Sequence, residues 1–405
     1  QRYYPVRNED GSLMPYFLTV RNGGTKALEN VQHGNEKVLR ARLDDAKFFF
    51  ENDRKKTLEG HRDDLTRINY QEGMGDMRDK ADRLQKLTEA IGKDWGFTAE
   101  EAADADRAAF LSKSDLATGM VTEFTELQGE MGKEYALLDG EKPEVAQAIF
   151  EQYMPRFAGD ILPEQEIGRA LSLADKLDNL AATFLRGLIP TGSQDPFALR
   201  RQTIGAVNIL TDGKIHWDIR RGIEAALALL PGDEETKKTV LSQIEDFFRQ
   251  RIKAIMLDEG IAYDIIDAVL AGPVDDIYAL FLKARSMAES QLKDEADLRQ
   301  AVTRLANITK GKTGGKVDPS LFTEDVEKKL QDAFDAVSAK ALPLFASYEY
   351  GKALPALKEL TAPINDYLDN VMVMVEDEAV KNNRISQLLA TLALFNTWGD
   401  FSKLV

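Results

Sequence analysis

"PINDYLDNVMVMVEDEAVKNNRISQLL", Pro363 to Leu389, is the stretch whose reading decides the fold. Ile364, Tyr367, Leu368, Val371 and Val375 recur at three- and four-residue intervals, the spacing of one helix face. "VMVMV" within it alternates as a strand does, but its neighbours keep the helical interval, so the segment reads as helix. Ile385, Leu388, Leu389, Leu392 and Phe395 then define a second helix. In its first turns stand Lys381, Asn382, Asn383 and Arg384, a small cationic and amide cluster expected on the surface. Upstream, Leu298, Val302, Leu305 and Ile308 mark a helix over Asp297 to Thr309, and Val326, Leu330, Phe334 and Val337 mark a longer one. "TKGKTGGKVDPS", Thr309 to Ser320, reads as a flexible loop between them. Residues 291–405 are therefore expected to form a helix bundle.

The same period extends back along the chain. From Asn35, Leu39, Leu43, Ala46 and Phe50 repeat at helical spacing. Turns are expected at Gly92, Gly140 with Pro143, Pro163, Pro190-Thr191-Gly192, Asp212-Gly213, Pro231-Gly232 and Gly272-Pro273. Only the start differs. Tyr3-Tyr4 and Tyr16 to Val20 flank Asn8-Glu9-Asp10-Gly11, a hairpin signal. The expectation is a mainly α, multi-domain protein. Residues 1–35 are a β-rich remnant, 36–212 a helical linker and domain, 213–290 a helical body, and 291–405 the bundle. Gln1 lies in a strand-like segment with no signal-like start, so the chain is expected to be part of a longer one.

Composition narrows the chemistry. In 405 residues there is no Cys, which removes disulfides, thiolate catalysis and Cys-based zinc sites. His33, His61 and His216 are widely spaced, a poor basis for a His-rich metal site or a Ser-His-Asp triad. No apolar run approaches the ~20 residues of a membrane span. A net charge of −16 is the wrong sign for a protein that coats duplex DNA. Any nucleic acid must be held by local basic patches on an acidic body. The cleanest such patch runs from Arg299 to Lys316 through Arg304, Lys310 and Lys312, without one acid among them. "ANITKGKT" within it superficially resembles a phosphate-binding Walker loop. That motif needs Gly where Ala306 stands, and a strand where a helix precedes.

Two other segments carry candidate chemistry. "ADADRAAFLSKSDLATGMVTEFTELQGEMG" (Ala103 to Gly132) and "LSLADKLDNLAATF" (Leu171 to Phe184) look like pieces of the helical His-Asp metal phosphohydrolase fold. Asp175 matches the distant metal-binding Asp, but Lys113-Ser114-Asp115 stands in place of the His-Asp pair. Carboxylates without imidazole make a poor transition-metal site. Asp115 and Asp175 are thus degenerate positions, left with Glu123 for buried pairing or a partner surface. In "IPTGSQDPFALRRQTIGAVNIL", Ser193 or Asp195 is expected to cap a helix with Pro196 in its first turn. Arg200 and Arg201 on that helix are either paired to nearby acids or open to RNA or a partner.

Taken together, "HGNEKVLRARLDDAKFFFENDRKK", "AADADRAAFLSKSDLATGMVTEFTELQGEMGKEYAL", "LADKLDNLAATFLRGLIPTGSQDPFALRR" and "NDYLDNVMVMVEDEAVKNNRISQLL" resemble the β subunit of bacterial heterotetrameric glycyl-tRNA synthetase, specifically its C-terminal part. The resemblance runs along nearly the whole chain, with Gln194 where the family suggests Lys. It implies a non-catalytic, cytoplasmic, tRNA-binding subunit of an α2β2 glycine–tRNA ligase. ATP and Mg would sit at the partner α subunit and no cofactor in this chain; neither DNA nor membrane is a partner. It also implies a degenerate His-Asp-type domain and a C-terminal anticodon-binding bundle. Lys381, Asn382, Asn383 and Arg384 would read unpaired bases of tRNA(Gly), since amides match base edges and Arg stacks or forks onto a base or phosphate. Arg299, Arg304, Lys310, Lys312 and Lys316 would hold phosphates. The alternatives are a metal-dependent phosphohydrolase, against which the missing histidines speak, and a helical scaffold with no RNA role.

Overall fold

In the computed structural model, which describes residues 3–192 and 194–404, helix dominates after the first 27 residues. The strands Tyr3–Arg7 (β1) and Leu13–Thr19 (β2) pair antiparallel, with Tyr3 opposite Thr19. Their turn closes through Asn8 N–H to the Ser12 carbonyl (2.9 Å), with Gly11 in the left-handed region at φ 83°. The helix Leu28–Asp53 (α1) follows, and Tyr3 donates its hydroxyl to Asn35 Oδ1 at 3.2 Å. These elements belong to one compact unit, residues 1–55; residues 56–405 form a second. The boundary expected after residue 35 therefore falls inside α1. Its 26 residues span roughly 39 Å at ~1.5 Å per residue, longer than either strand of the hairpin. Leu43, expected inward, is accordingly exposed, as is Phe48.

The second unit is built around one buried helix. The helices that build the unit include Met77–Trp95 (α2), Ala99–Leu111 (α3), Pro143–Glu151 (α4), Glu166–Leu185 (α5), Leu199–Asp212 (α6), Ile219–Ala228 (α7), Glu234–Asp258 (α8) and Ile277–Glu289 (α9). Helices α2, α3, α4, α6, α7 and α8 all pack on α5. Apolar or small residues surround its whole circumference, which is the signature of an interior helix. Ala170, Leu171, Leu173, Ala174, Leu177, Leu180, Ala181 and Ala182 are all sealed from solvent. Gly92, expected in a turn, lies within α2, where a Cβ would come within 2.6 Å of the Phe97 ring. The helix stops instead at Gly96, φ 75°.

The bundle contributes Ala296–Thr309 (α10), Asp325–Ala346 (α11), Thr361–Asn370 (α12) and Glu378–Asn396 (α13). Leu298, Val302, Leu305, Leu330, Val337, Ile364, Tyr367, Leu388 and Phe395 supply its core. It is seated on the helical body by Trp398 Nε1–H to the Lys283 carbonyl (3.2 Å) and by Asp400 N–H to the Ala268 carbonyl (2.9 Å). His216 also stacks on Tyr348 at 3.6 Å between ring centres. The helix expected through Val371 and Val375 is corrected. α12 stops at Asn370, and Val371 is extended at φ −106°, ψ 120°. The alternation in "VMVMV" governs: Val371 and Val373 are buried, while Met372 and Met374 are 73% and 54% exposed. A β-branched run favours extended backbone, and here the valines have a core to face.

Candidate functional site

Two places in the second unit gather the functional candidates. The first lies along α5. Lys80 and Arg83, three apart on α2, share the face that carries Leu84, Leu87 and Ile91, so both side chains enter the interior. Asp178 accepts from Lys80 Nζ at 2.8 Å and from Arg83 Nε at 2.6 Å. Asp175 meets Lys80 Nζ at 2.9 Å and Lys113 Nζ at 3.1 Å. Lys113 belongs to the Lys-Ser-Asp triplet and has a left-handed backbone, φ 66°; its ammonium lies 4.0 Å from the centre of the Tyr153 ring. Asp115 turns away from this cluster: Oδ2 accepts from Gly129 N–H (2.7 Å) and Oδ1 from the Tyr153 hydroxyl (2.9 Å). Lys176, 3% exposed, donates to the Met154 carbonyl (2.6 Å) and Ser172 Oγ (2.7 Å).

Burial opposes every one of these charges, and the partners decide the outcome. Burial raises the Asp175 carboxyl, but the Lys113 and Lys80 ammoniums outweigh it and hold it below the usual range. Asp178 is lowered in the same way, by Lys80 and Arg83 against its own burial. Lys80 is held above its ordinary value despite burial, by Asp175 and Asp178. Lys113 is pushed down by burial, which Asp175 only partly offsets. Lys176 falls to about 7, from burial that Asp175 does not repair. Burial raises Asp115 in spite of its two hydrogen bonds. Asp115 and Asp175 are thus engaged by N–H, O–H and ammonium groups. Among the described residues no three His, Asp or Glu side chains converge as metal ligands.

A cavity of about 500 Å³ opens over this cluster, with Asp175 and Lys176 in its wall beside Gln128, Tyr153, Arg156 and Arg201. A second of about 360 Å³ adjoins it through Pro155, Phe157, Ala198 and Arg201. Helix α6 starts at Leu199, so Pro196 precedes it and does not form its first turn. Asp195 still accepts from the first amides, Leu199 N–H (2.8 Å) and Arg200 N–H (3.0 Å). Ser193, the other candidate cap, lies outside the described residues. Arg200 donates to the Gly192 carbonyl at 2.7 Å. Arg201 is exposed and has no hydrogen bond or ion pair among the described residues.

The second place is the start of α13. Asp377 caps it, accepting from Ala379 and Val380 N–H. Asn382 is exposed as expected, while Lys381 is half-buried and paired with Glu378. Asn383 and Arg384 are buried: each is 4% exposed. Arg384 Nε and Nη2 grip the two oxygens of Glu327 at 3.0 and 3.2 Å; Nη2 also reaches Thr323 Oγ1 (2.6 Å), and Nη1 the Met372 carbonyl (2.8 Å). Its fork is spent inside the bundle, so the expectation of base contact is corrected for Arg384. Asn383 is similarly occupied. Its carbonyl accepts from Asp318 N–H (2.7 Å) and its amide donates to the Asp318 carbonyl (3.0 Å).

That pairing also corrects the reading of Thr309 to Ser320 as a flexible loop. Gly315 N–H donates to Ser386 Oγ at 2.8 Å. At Gly314 a Cβ would stand 2.9 Å from Leu389 and 3.3 Å from the Ser386 backbone, so the loop lies directly on α13. Lys310 and Lys316 on it are exposed and without hydrogen bond or ion pair among the described residues. Lys312 lies against Met374 Sδ at 3.4 Å. Arg304 is drawn off to Asn365 (2.9 Å) and Asp369 (2.5 Å), and Arg299 to the Leu404 and Lys293 carbonyls. Lys80, Arg83, Lys176 and Asp178 were not singled out from the sequence. The usable signal was a lysine and an arginine on the apolar stripe of α2, together with acids on a helix whose other residues are almost all apolar or small.

Comparison with known proteins gives both regions a context. A family model described as glycyl-tRNA synthetase beta subunit matches residues 1–271, and one described as a DALR anticodon binding domain matches residues 298–399. The glycine–tRNA ligase beta subunit of Desulforamulus reducens is 42% identical over 409 residues, and that of Clostridioides difficile 45% over 406. Each alignment covers 100% of this chain and 59% of the relative. That of Halothermothrix orenii is 43% identical, over 96% of this chain and 57% of the relative. The chain thus spans somewhat under three fifths of the length of these relatives.

Proposed function

The chain belongs to the glycyl-tRNA synthetase beta subunit family, and from that premise we propose that it is the tRNA-holding, non-catalytic side of a glycine–tRNA ligase. In this reading tRNA(Gly) is captured, anticodon included, and a partner α subunit in an α2β2 assembly transfers glycine to it. The α subunit supplies the ATP and Mg site, and the setting is the cytoplasm. No helix among the described residues is long and apolar enough to cross a membrane. The supporting observation is local. Within the segment matched to an anticodon-binding domain, the loop that carries Lys310, Lys312 and Lys316 is fastened by Asn383 and Ser386 to α13, the helix on which Asn382 is exposed.

The division of labour follows from the chemistry. Ammonium groups on flexible stems meet phosphates without regard to sequence. A solvent-facing amide can hydrogen-bond the edge of an unstacked base. Asn382 is the exposed amide of the original cluster and so the reading group; Asn383 and Arg384 position it from beneath. Affinity for tRNA(Gly) is to be measured with an anticodon-swapped tRNA as control. Wild-type protein should prefer the native anticodon, and Asn382→Ala should erase most of that preference with little loss of stability. Equal binding of both tRNAs by wild-type protein overturns the assignment of anticodon reading to this surface.

A further inference from the structure

We propose that the cavity beside α5 is a binding site for a phosphate group, held by Lys176 at its floor and Arg201 at its rim. The inference goes beyond tRNA capture by the bundle and does not rest on it.

The first support is a charge count. Lys80, Arg83, Lys113 and Lys176 converge on α5, and two carboxylates, Asp175 and Asp178, answer them. Asp115 is a third carboxylate beside Lys113, its oxygens accepting from Gly129 N–H and the Tyr153 hydroxyl. With Lys176 protonated, four cations face three carboxylates. A buried surplus of one sign is costly unless a counter-charge reaches it. Here the surplus lies under a cavity open to solvent, from which an anion can approach.

The second support is placement. Lys176 is fixed from both sides. Two of its donors are held by Met154 and Ser172, and at Gly205 of α6 even a Cβ would approach its Cε to 2.9 Å. It cannot withdraw from the cavity floor. Arg201 meets the same cavity with a free guanidinium, whose planar fork suits two phosphate oxygens. Of the acids in the two cavity walls, Asp175 is spent on two ammoniums and Asp195 on helix amides, leaving Glu126 at the edge. At about 500 Å³ the cavity exceeds what a bare phosphate needs and lies in the range of small-molecule pockets. The phosphate can therefore belong to a small ester or to an RNA backbone.

The test is calorimetric titration of the whole chain at fixed ionic strength with inorganic phosphate, AMP and a short single-stranded oligoribonucleotide. Saturable one-site binding of phosphate is expected. Arg201→Ala should weaken it at least tenfold while leaving the melting temperature unchanged, since Arg201 has no partner to lose. Gly205→Ala, which crowds Lys176, should weaken it as well, and Lys310→Ala should not. AMP binding tighter than phosphate assigns the group to a small ester; an oligoribonucleotide displaced by phosphate assigns it to RNA. Absence of saturable binding for all three probes, or binding indifferent to both Arg201→Ala and Gly205→Ala, overturns the proposal.

Discussion

The bundle and the body each bury arginine or lysine against carboxylate, but with different arithmetic. In the bundle one guanidinium meets one carboxylate. Every donor of Arg384 named above is used, and Glu327 also accepts from Thr323 and Glu324 N–H at 2.8 Å each. Around α5 the basic groups outnumber the acids, and a cavity stands over the excess. Balanced burial ties elements together: Arg384 joins α13, the start of α11 and the extended Val371 to Val375 segment in one contact. Unbalanced burial does not serve that end as well, because the unmatched charge destabilises the fold in which it sits. Equal burial therefore separates a structural arginine from a site only when the partners are counted.

The comparison breaks first if Arg384→Ala is mild. Removing one member of a closed buried pair leaves Glu327 charged and without its cation, which costs about 3–5 kcal/mol. Denaturant unfolding should show it as a lower midpoint with the slope unchanged. A loss below about 1 kcal/mol would mean that the pair is solvated and the contrast is empty. Next in size is Asp178→Asn. It deletes an acid from a cluster already short of them, leaving Lys80 and Arg83 under-matched, and should cost about 2–4 kcal/mol.

Lys176→Met sharpens the contrast, because in a cation-rich cluster the loss of a cation is cheap. It removes the penalty of a buried ammonium but takes one donor from Ser172 Oγ and one from the Met154 carbonyl, which keeps the Ser172 hydroxyl at 2.5 Å. The two effects oppose each other, so the net change at pH 7 should stay within about 1 kcal/mol. Its pH dependence is more telling. Between about 7 and 10.5 the folded state carries fewer protons on Lys176 than the unfolded chain does. Stability from this group therefore rises with pH across that window, by at most about 1.4 kcal/mol per unit. Unfolding midpoints at pH 7, 8 and 9 should climb less steeply for Lys176→Met than for wild type; parallel curves would place the group in solvent.

Periodicity was enough to find most of the helices and the residues at the centre of the bundle, because Leu298, Leu305, Ile364 and Phe395 obey one local rule. It erred where a longer-range partner decides. "VMVMV" satisfies both periods in apolar character alone, and only its β-branched members choose the buried side. Arg384 looked like a surface cation because Glu327, 57 residues earlier, announces nothing about where it will lie. The lysine-rich loop looked mobile for the same reason: its anchors, Asn383 and Ser386, sit on another helix. The α5 cluster was half legible, since Asp115 and Asp175 drew notice as possible metal positions while Lys113 beside them was seen only as a missing ligand. Charge matching across sequence distance is a property of the packed chain, and no window of residues contains it.

The smallest expected effect concerns the outward lysines, where neither burial nor pairing applies. Lys310 has no partner to lose, so Lys310→Ala should leave the unfolding midpoint within about 0.5 kcal/mol of wild type. If it neutralises one phosphate, it should weaken every tRNA alike, native or anticodon-swapped. The plot of log affinity against log salt should lose about one unit of slope. Lys316→Ala should behave in the same way. Arg304→Ala should change the slope little, because Asn365 and Asp369 already hold that guanidinium within the bundle. A slope that responds to Arg304 and ignores Lys310 would move the RNA contact from the fastened loop to the α10–α12 face. It would also mean that an ion pair at the surface is no bar to phosphate binding, and pairing would then cease to be a guide to which cations are free.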